Sequence, residues 1–141
     1  MAKSGPIILV DDDREDQELV EEVLTEMQVE NKRIYFFDCL KAFDYLKTTP
    51  EKPLLILCDI NLPGVNGLEF KLQIDTDPQL RGKSIPFVFF STAVDQKSVD
   101  RAYKEMTVQG FFKKENTMGG LKNSLSLILD YWKVCKHPNS D

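Results

Sequence analysis

The chain has 141 residues, 42% hydrophobic and 29% charged, with a net charge of -5, the make-up of one globular domain of ordinary size. The acidic balance excludes general nucleic-acid binding, which takes a clustered basic surface. No apolar run approaches the ~20 residues of a membrane span, and the opening MAKSGP leads into a stretch too short for a signal peptide, so a soluble, cytoplasmic protein is expected.

In chain order, residues 6–10 (PIILV) read as a buried strand that runs straight into Asp11, Asp12 and Asp13. Three neighbouring carboxylates repel one another, and burying even one without a partner costs several kcal/mol, so a compensating cation is implied. Residues 15–27 then carry Leu19, Val20, Val23, Leu24 and Met27 on one helical stripe. A strand is expected at 33–37, and a helix at 40–47 with Ala42, Phe43 and Leu46 inward. Pro50 and Pro53 punctuate the chain before a strand at 54–59.

A third helix is expected at 67–75, a strand at 85–91, and a weakly apolar helix at 96–105. A strand at 110–113 and a helix at 119–134, with Leu121, Leu125, Ile128, Leu129 and Trp132 at helical spacing, complete the pattern. The domain is expected at 6–135, between short tails at 1–5 and 136–141, with the single histidine, His137, in the second tail. Cys39, Cys58 and Cys135 are odd in number and lack CxxC spacing, which favours free thiols in a reducing compartment.

Five alternations of strand and helix argue for a parallel sheet between two helical layers. In such sheets the chemistry lies beyond the carboxyl ends of the strands, at the topological switch point. The residues standing there are Asp11 and Asp12, Asp59, Ser91 and Thr92, and Lys113 and Lys114. Hard carboxylate oxygens suit Mg²⁺, which takes one or two carboxylates and completes its shell with water and phosphate oxygens. One carboxylate then remains as a nucleophile toward phosphorus, while the hydroxyl and the lysine bind phosphoryl oxygens.

Four runs in this order, ILVDDDRED, LLILCDINLPGVNGLEF, IPFVFFSTA and GFFKKENTMGGL, resemble the receiver domain of two-component response regulators, over residues 6–134. The resemblance implies a flavodoxin-like (βα)5 fold with strand order 2-1-3-4-5. It makes Asp59 the phosphoacceptor, Asp12 a direct and Asp11 a water-mediated Mg²⁺ ligand, and Asn61 a backbone-carbonyl ligand. Asp13 is left to the start of the first helix, where negative charge is favourable. Pro63 and Gly67 match the turn after the acceptor strand, with backbone freedom the expected reason for the glycine.

Ser91, five residues after Pro86, has the spacing of the family's switch hydroxyl. Counting back from the lysine gives Thr92 instead, and Ser91 is preferred with one residue inserted in the loop. Lys114 is preferred over Lys113 for its spacing to Leu121. Glu115 stands where the family usually has a proline, so the loop is either trans with a shape of its own or strained. Phe111 matches the aromatic switch position, and Asn61 and Ala93 match side chains that tune dephosphorylation.

The implied function is that of a stand-alone regulator, which promotes its own phosphorylation and dephosphorylation rather than turning over a separate substrate. Its phosphodonor is a sensor histidine kinase or histidine phosphotransfer protein. Its downstream protein target docks on the face made by the fourth helix, fifth strand and fifth helix, and a homodimer is a further expected association. Neither nucleic acid nor membrane is an expected partner.

The rival reading is a haloacid-dehalogenase-type phosphatase with Asp11 as nucleophile and Asp13 as acid/base. Against it, Arg14 and Glu15 follow Asp13 and no late acidic pair follows Lys114. A pseudo-receiver that never carries phosphate is disfavoured by the intact acidic, hydroxyl and lysine set. A flavin or dinucleotide site is disfavoured because no glycine-rich loop follows the first strand.

Overall fold

The computed structural model describes residues 2–92 and 95–139. After a 3-10 turn at Ala2–Ser4, the elements are β1 (Ile7–Val10), α1 (Arg14–Glu26), β2 (Arg33–Phe36), α2 (Cys39–Thr48), β3 (Leu55–Cys58) and α3 (Gly67–Thr76). They continue with α4 (Pro78–Lys83), β4 (Phe87–Ser91), α5 (Gln96–Glu105), β5 (Gly110–Lys113) and α6 (Met118–Val134). The strands pair in parallel in the order β2-β1-β3-β4-β5, as the sequence predicts.

Strand alternation divides the core between the two faces of the sheet. Ile8, Val10, Ile56, Cys58, Phe87 and Phe89 join side chains from α2, α3, α4 and α5 on one face. Ile7, Leu9, Leu55, Leu57, Val88 and Phe90 meet α1 and α6 on the other. Both faces are covered, which is why the three central strands read as unbroken apolar runs. The edge strand β2 is half-buried throughout.

Helix α4 is absent from the sequence reading. Asp77 closes α3 with its amide and opens α4 with its side chain, which accepts from the backbone amides of Gln79 and Leu80. Pro78 stands in the first turn, where its missing N–H is harmless. The cap and proline signals were present in TDPQL, but the segment is too short to show a period. The weakly apolar helix predicted at 96–105 is α5, whose one buried residue is Ala102. Helix α6 buries five large side chains at roughly 1.5–3 kcal/mol each, so α5 is held far less tightly.

The C-terminal segment is a strap rather than a free tail as far as Asn139. His137 is fully buried beside Trp132, with ring centroids 5.3 Å apart. Its Nε2 donates to the Leu54 carbonyl at 2.8 Å, and its Nδ1 accepts from the Asn139 amide at 3.0 Å, so the two bonds fix the neutral Nε2–H tautomer. The Asn139 side chain donates to the Lys83 carbonyl at 2.6 Å. At the other end, Asn31 donates to the carbonyls of Lys3 and Gly5, tying the start of the chain to the turn before β2. All three cysteines are free.

Candidate functional site

Val10 and Cys58 are register partners at the ends of β1 and β3, so Asp11 and Asp59 leave the sheet side by side. The chain passes from β1 outward to β2 and returns across it to β3, making this gap the switch point. The Asp59 amide donates to the Val10 carbonyl and the Asp11 amide to the Phe36 carbonyl, each at 3.0 Å. Gln17, buried on α1, fastens the corner by donating to the carbonyls of Asp11 at 2.8 Å and Phe36 at 3.1 Å.

Asp11, Asp12 and Asp59 each offer a carboxylate oxygen within 4.8 Å of the others. Asp11 and Asp59 are buried, whereas Asp12 is exposed at the rim. Ser91, the last residue of β4, is fully buried, and its hydroxyl donates to Asp59 Oδ1 at 2.6 Å. The same oxygen accepts from the Ile60 amide at 2.7 Å. Thr92 is exposed, so of the two candidate hydroxyls it is Ser91 that meets Asp59.

Lys114 follows β5, with its amide donating to the Ser91 carbonyl at 2.8 Å. Its ammonium, 4% exposed, contacts Asp11 Oδ2, Asp16 Oδ2 at 2.8 Å and Asp59 Oδ2 at 3.3 Å. Lys113 is exposed, so of the two lysines it is Lys114 that reaches the carboxylates. The Lys114–Glu115 peptide is trans, the first of the two loop shapes anticipated for a chain without proline here.

Burial pulls the Lys114 ammonium down, but the Asp11 and Asp16 carboxylates outweigh it and hold the group above its ordinary value. For Asp11 the balance is reversed. Burial pushes its carboxyl up and outweighs the hydrogen bonds from Lys114 and the Asp13 amide. One ammonium faces three carboxylates, so the pocket has room in its charge balance for another cation. Carboxylate-only donors of this kind fit a hard divalent ion such as Mg²⁺ or Mn²⁺ rather than a soft one.

Asp13 is exposed and caps α1, accepting from the Glu15 amide at 2.9 Å. It is thus a helix-end residue, and the acid/base role required by the phosphatase reading has no support from its position. Asn61 is exposed in the loop between β3 and α3, and Ala93 lies outside the described residues. Gly67 is needed for space, not for backbone freedom as expected, since a Cβ there would stand 2.0 Å from the Asp59 carbonyl oxygen. Backbone freedom is used at Gly64, whose φ is +74°. Phe111 is half-buried and packs on Phe89, ring centroids 5.5 Å apart.

Sequence reasoning missed Asp16 and Gln17. Gln17 lies three residues before Val20 on the apolar stripe of α1, a placement that marks a buried polar residue. Asp16 had no such signal among the acids of DDDRED.

The chain matches the family model for the response regulator receiver domain over residues 7–126. It is 32% identical over 131 residues to response regulator Rcp1 of Synechocystis, covering 89% of this chain and 87% of that one. It is 28% identical to a probable methanogenesis regulatory protein, FilR2, of Methanothrix harundinacea, covering 89% and 82%. Among solved structures, the phosphorylated cyanobacterial phytochrome response regulator RcpA superposes with a TM-score of 0.84 at 28% identity, over 95% of this chain and 98% of that one. The Mn²⁺-bound form of Rcp1 gives 0.81 at 30% identity, over 94% and 98%. With five parallel strands in the order 2-1-3-4-5, an acidic pocket at the switch point and a match that spans most of its length, the chain belongs to the response regulator receiver domain family of two-component systems.

Proposed function

We propose that this protein takes a phosphoryl group onto Asp59 from a sensor histidine kinase or a histidine phosphotransfer protein, in an Mg²⁺-dependent reaction, and signals by docking to a downstream protein. The observation that carries the reading is the division of labour at Asp59. Oδ1 accepts from both Ser91 and Ile60, while among the described residues Oδ2 has only the longer 3.3 Å contact to Lys114. Oδ2 is thus the oxygen with lone-pair density to give.

In the transfer, Oδ2 bonds to phosphorus as the phosphorus–nitrogen bond of the donor's phosphoimidazole breaks, and the departing pair stays on the imidazole nitrogen. Lys114 and Ser91 are positioned to donate to phosphoryl oxygens that gain charge as the group moves. Asp11, Asp12 and Asp59, with the Asn61 carbonyl, would hold the metal, which supplies positive charge against the phosphoryl oxygens. The sheet keeps these groups at fixed separations, so orientation rather than a strong base accounts for the rate.

The output reading rests on Ser91 and Phe111. Drawing the Ser91 hydroxyl toward the phosphoryl group opens space beside β4, into which Phe111 can move by packing alone, since it has no hydroxyl to pair. The surface so altered is that of α5, β5 and α6, which contains the weakly held α5 and the exposed Tyr103, Leu127 and Tyr131.

Calorimetric titration with Mg²⁺, alone and with beryllofluoride, tests the reading. One binding event for the metal, strengthened by the phosphoryl mimic and abolished in Asp59→Asn, is expected. A protein that takes up neither ion contradicts it.

A further inference from the structure

Lys114 satisfies all of its hydrogen-bonding capacity with three carboxylates. An ammonium has three N–H donors, and the partners here are Asp11, Asp16 and Asp59. Two of them, Asp11 and Asp59, belong to the acidic pocket. Asp16 does not: it stands in the first turn of α1, and its side chain is 33% exposed where those of Asp11 and Asp59 are 2% and 10% exposed.

A phosphoryl group on Asp59 presents new anionic oxygens to the same lysine. The N–H now given to Asp59 Oδ2 passes to these oxygens once Oδ2 carries phosphorus, and to commit a second N–H the ammonium must give up a partner it now holds. The least costly to release is the carboxylate that water can reach, because its hydration replaces the lost bond, whereas an abandoned Asp11 would remain a buried and unpaired charge. Asp59 is itself the group being modified. Asp16 is left as the exchangeable partner.

We propose that Asp16 is a positioning residue that acts through Lys114, holding the ammonium toward α1 in the unphosphorylated protein and opposing its commitment to the phosphoryl group. Asp16 thereby sets how readily the phosphorylated form is populated. The absence of a proline after Lys114 gives the tether more consequence, because no ring fixes the backbone at Glu115 and the side-chain contacts carry the aim of the ammonium. This inference rests on the reading of Asp59 as phosphoacceptor.

The test is the affinity for beryllofluoride in the presence of Mg²⁺, followed by amide NMR shifts of Ser91 and Phe111, for the native protein, Asp16→Asn, Asp16→Glu and Glu15→Gln. Glu15 is an exposed neighbour on the same helix turn, so Glu15→Gln removes the same charge without touching Lys114. The proposal predicts binding about three- to tenfold tighter in Asp16→Asn, the range between an exposed ion pair and a buried charge-assisted bond. Asp16→Glu and Glu15→Gln are expected to stay within about twofold of the native protein.

A merely structural role for Asp16 would weaken binding, so the direction of the change separates the two. Unchanged or weaker binding in Asp16→Asn overturns the proposal, as does an equal gain in Glu15→Gln, which would reflect net charge alone. If the native protein itself fails to bind beryllofluoride, both this proposal and the phosphoacceptor reading fall. If it binds at Asp59 and Asp16→Asn shows no gain, only this proposal does.

Discussion

The Ser91 hydroxyl donates to Asp59 Oδ1 at 2.6 Å, across the junction of two adjacent parallel strands. The bond joins the end of β4 to the residue after β3, so the Asp59 carboxylate is held from two neighbouring strands. Replacing the hydroxyl removes one of two donors to Oδ1 without emptying a cavity. Ser91→Ala is expected to fold normally and still label at Asp59 from a small phosphodonor, about tenfold more slowly, with no shift at Phe111 on phosphorylation. Ser91→Thr should retain the shift, and Thr92→Ala, at an exposed position, should match the native protein. Rates from intact mass and the NMR shift of Phe111 check all three.

Lys114→Gln leaves Asp11, buried beside Asp59, without its cation. Breaking a buried pair by removing one partner costs about 3–5 kcal/mol, and a loss of that order is expected in urea unfolding. Millimolar Mg²⁺ should recover part of it, because a cation restores the compensation. A loss that metal leaves untouched would argue against the acidic pocket as the metal's place.

Gly67→Ala places a methyl group where the Asp59 carbonyl oxygen now lies, 2.0 Å from the ideal Cβ. Relieving the overlap must move either the loop after Asp59 or the start of α3, at about 1–3 kcal/mol. Slower phosphorylation of Asp59 should accompany the lower midpoint. Gly119→Ala, at an open position on α6, serves as the neutral control.

Away from the site, Lys71 on α3 donates to Asp75 Oδ1 at 2.8 Å and to the Thr107 hydroxyl at 3.1 Å, and the Thr107 amide donates to Asp75 Oδ2 at 3.0 Å. This cluster ties α3 to the approach to β5. Burial pushes the Asp75 carboxyl up, but Lys71 and Thr107 outweigh it and hold the group below its ordinary value of 3.8. A depressed carboxyl contributes stability that is present above the unfolded value and lost as pH falls through the folded one. Thermal midpoints should therefore drop below about pH 4 in the native protein, and less so in Asp75→Asn. At neutral pH that variant should be less stable by roughly 3 kcal/mol, with labelling of Asp59 retained.

Much of this was legible in the sequence, for identifiable reasons. The central strands announced themselves because burial on both faces demands unbroken apolar runs, and the pocket residues because each stands directly after such a run. Asp13 read correctly as a cap because a carboxylate before a helix has a local use. What stayed hidden depended on distant contacts. Asp16 looks like any solvated acid until β5 delivers Lys114 to it. His137 looked like a tail residue because its partners, Leu54 and Trp132, are set by how the strap crosses the base of the sheet. Gly67 was given the wrong reason, since the nearness of the Asp59 carbonyl is a tertiary fact.

The central claim is that the side chain at position 59 is the nucleophile toward phosphorus. Its most direct test is incubation of the native protein and Asp59→Asn with acetyl phosphate and Mg²⁺, followed by intact mass and peptide mapping after borohydride trapping of the acyl phosphate. The account predicts one phosphoryl group, on the peptide containing Asp59, dependent on metal and absent from the variant. Label on Asp11, or label undiminished in Asp59→Asn, would contradict it.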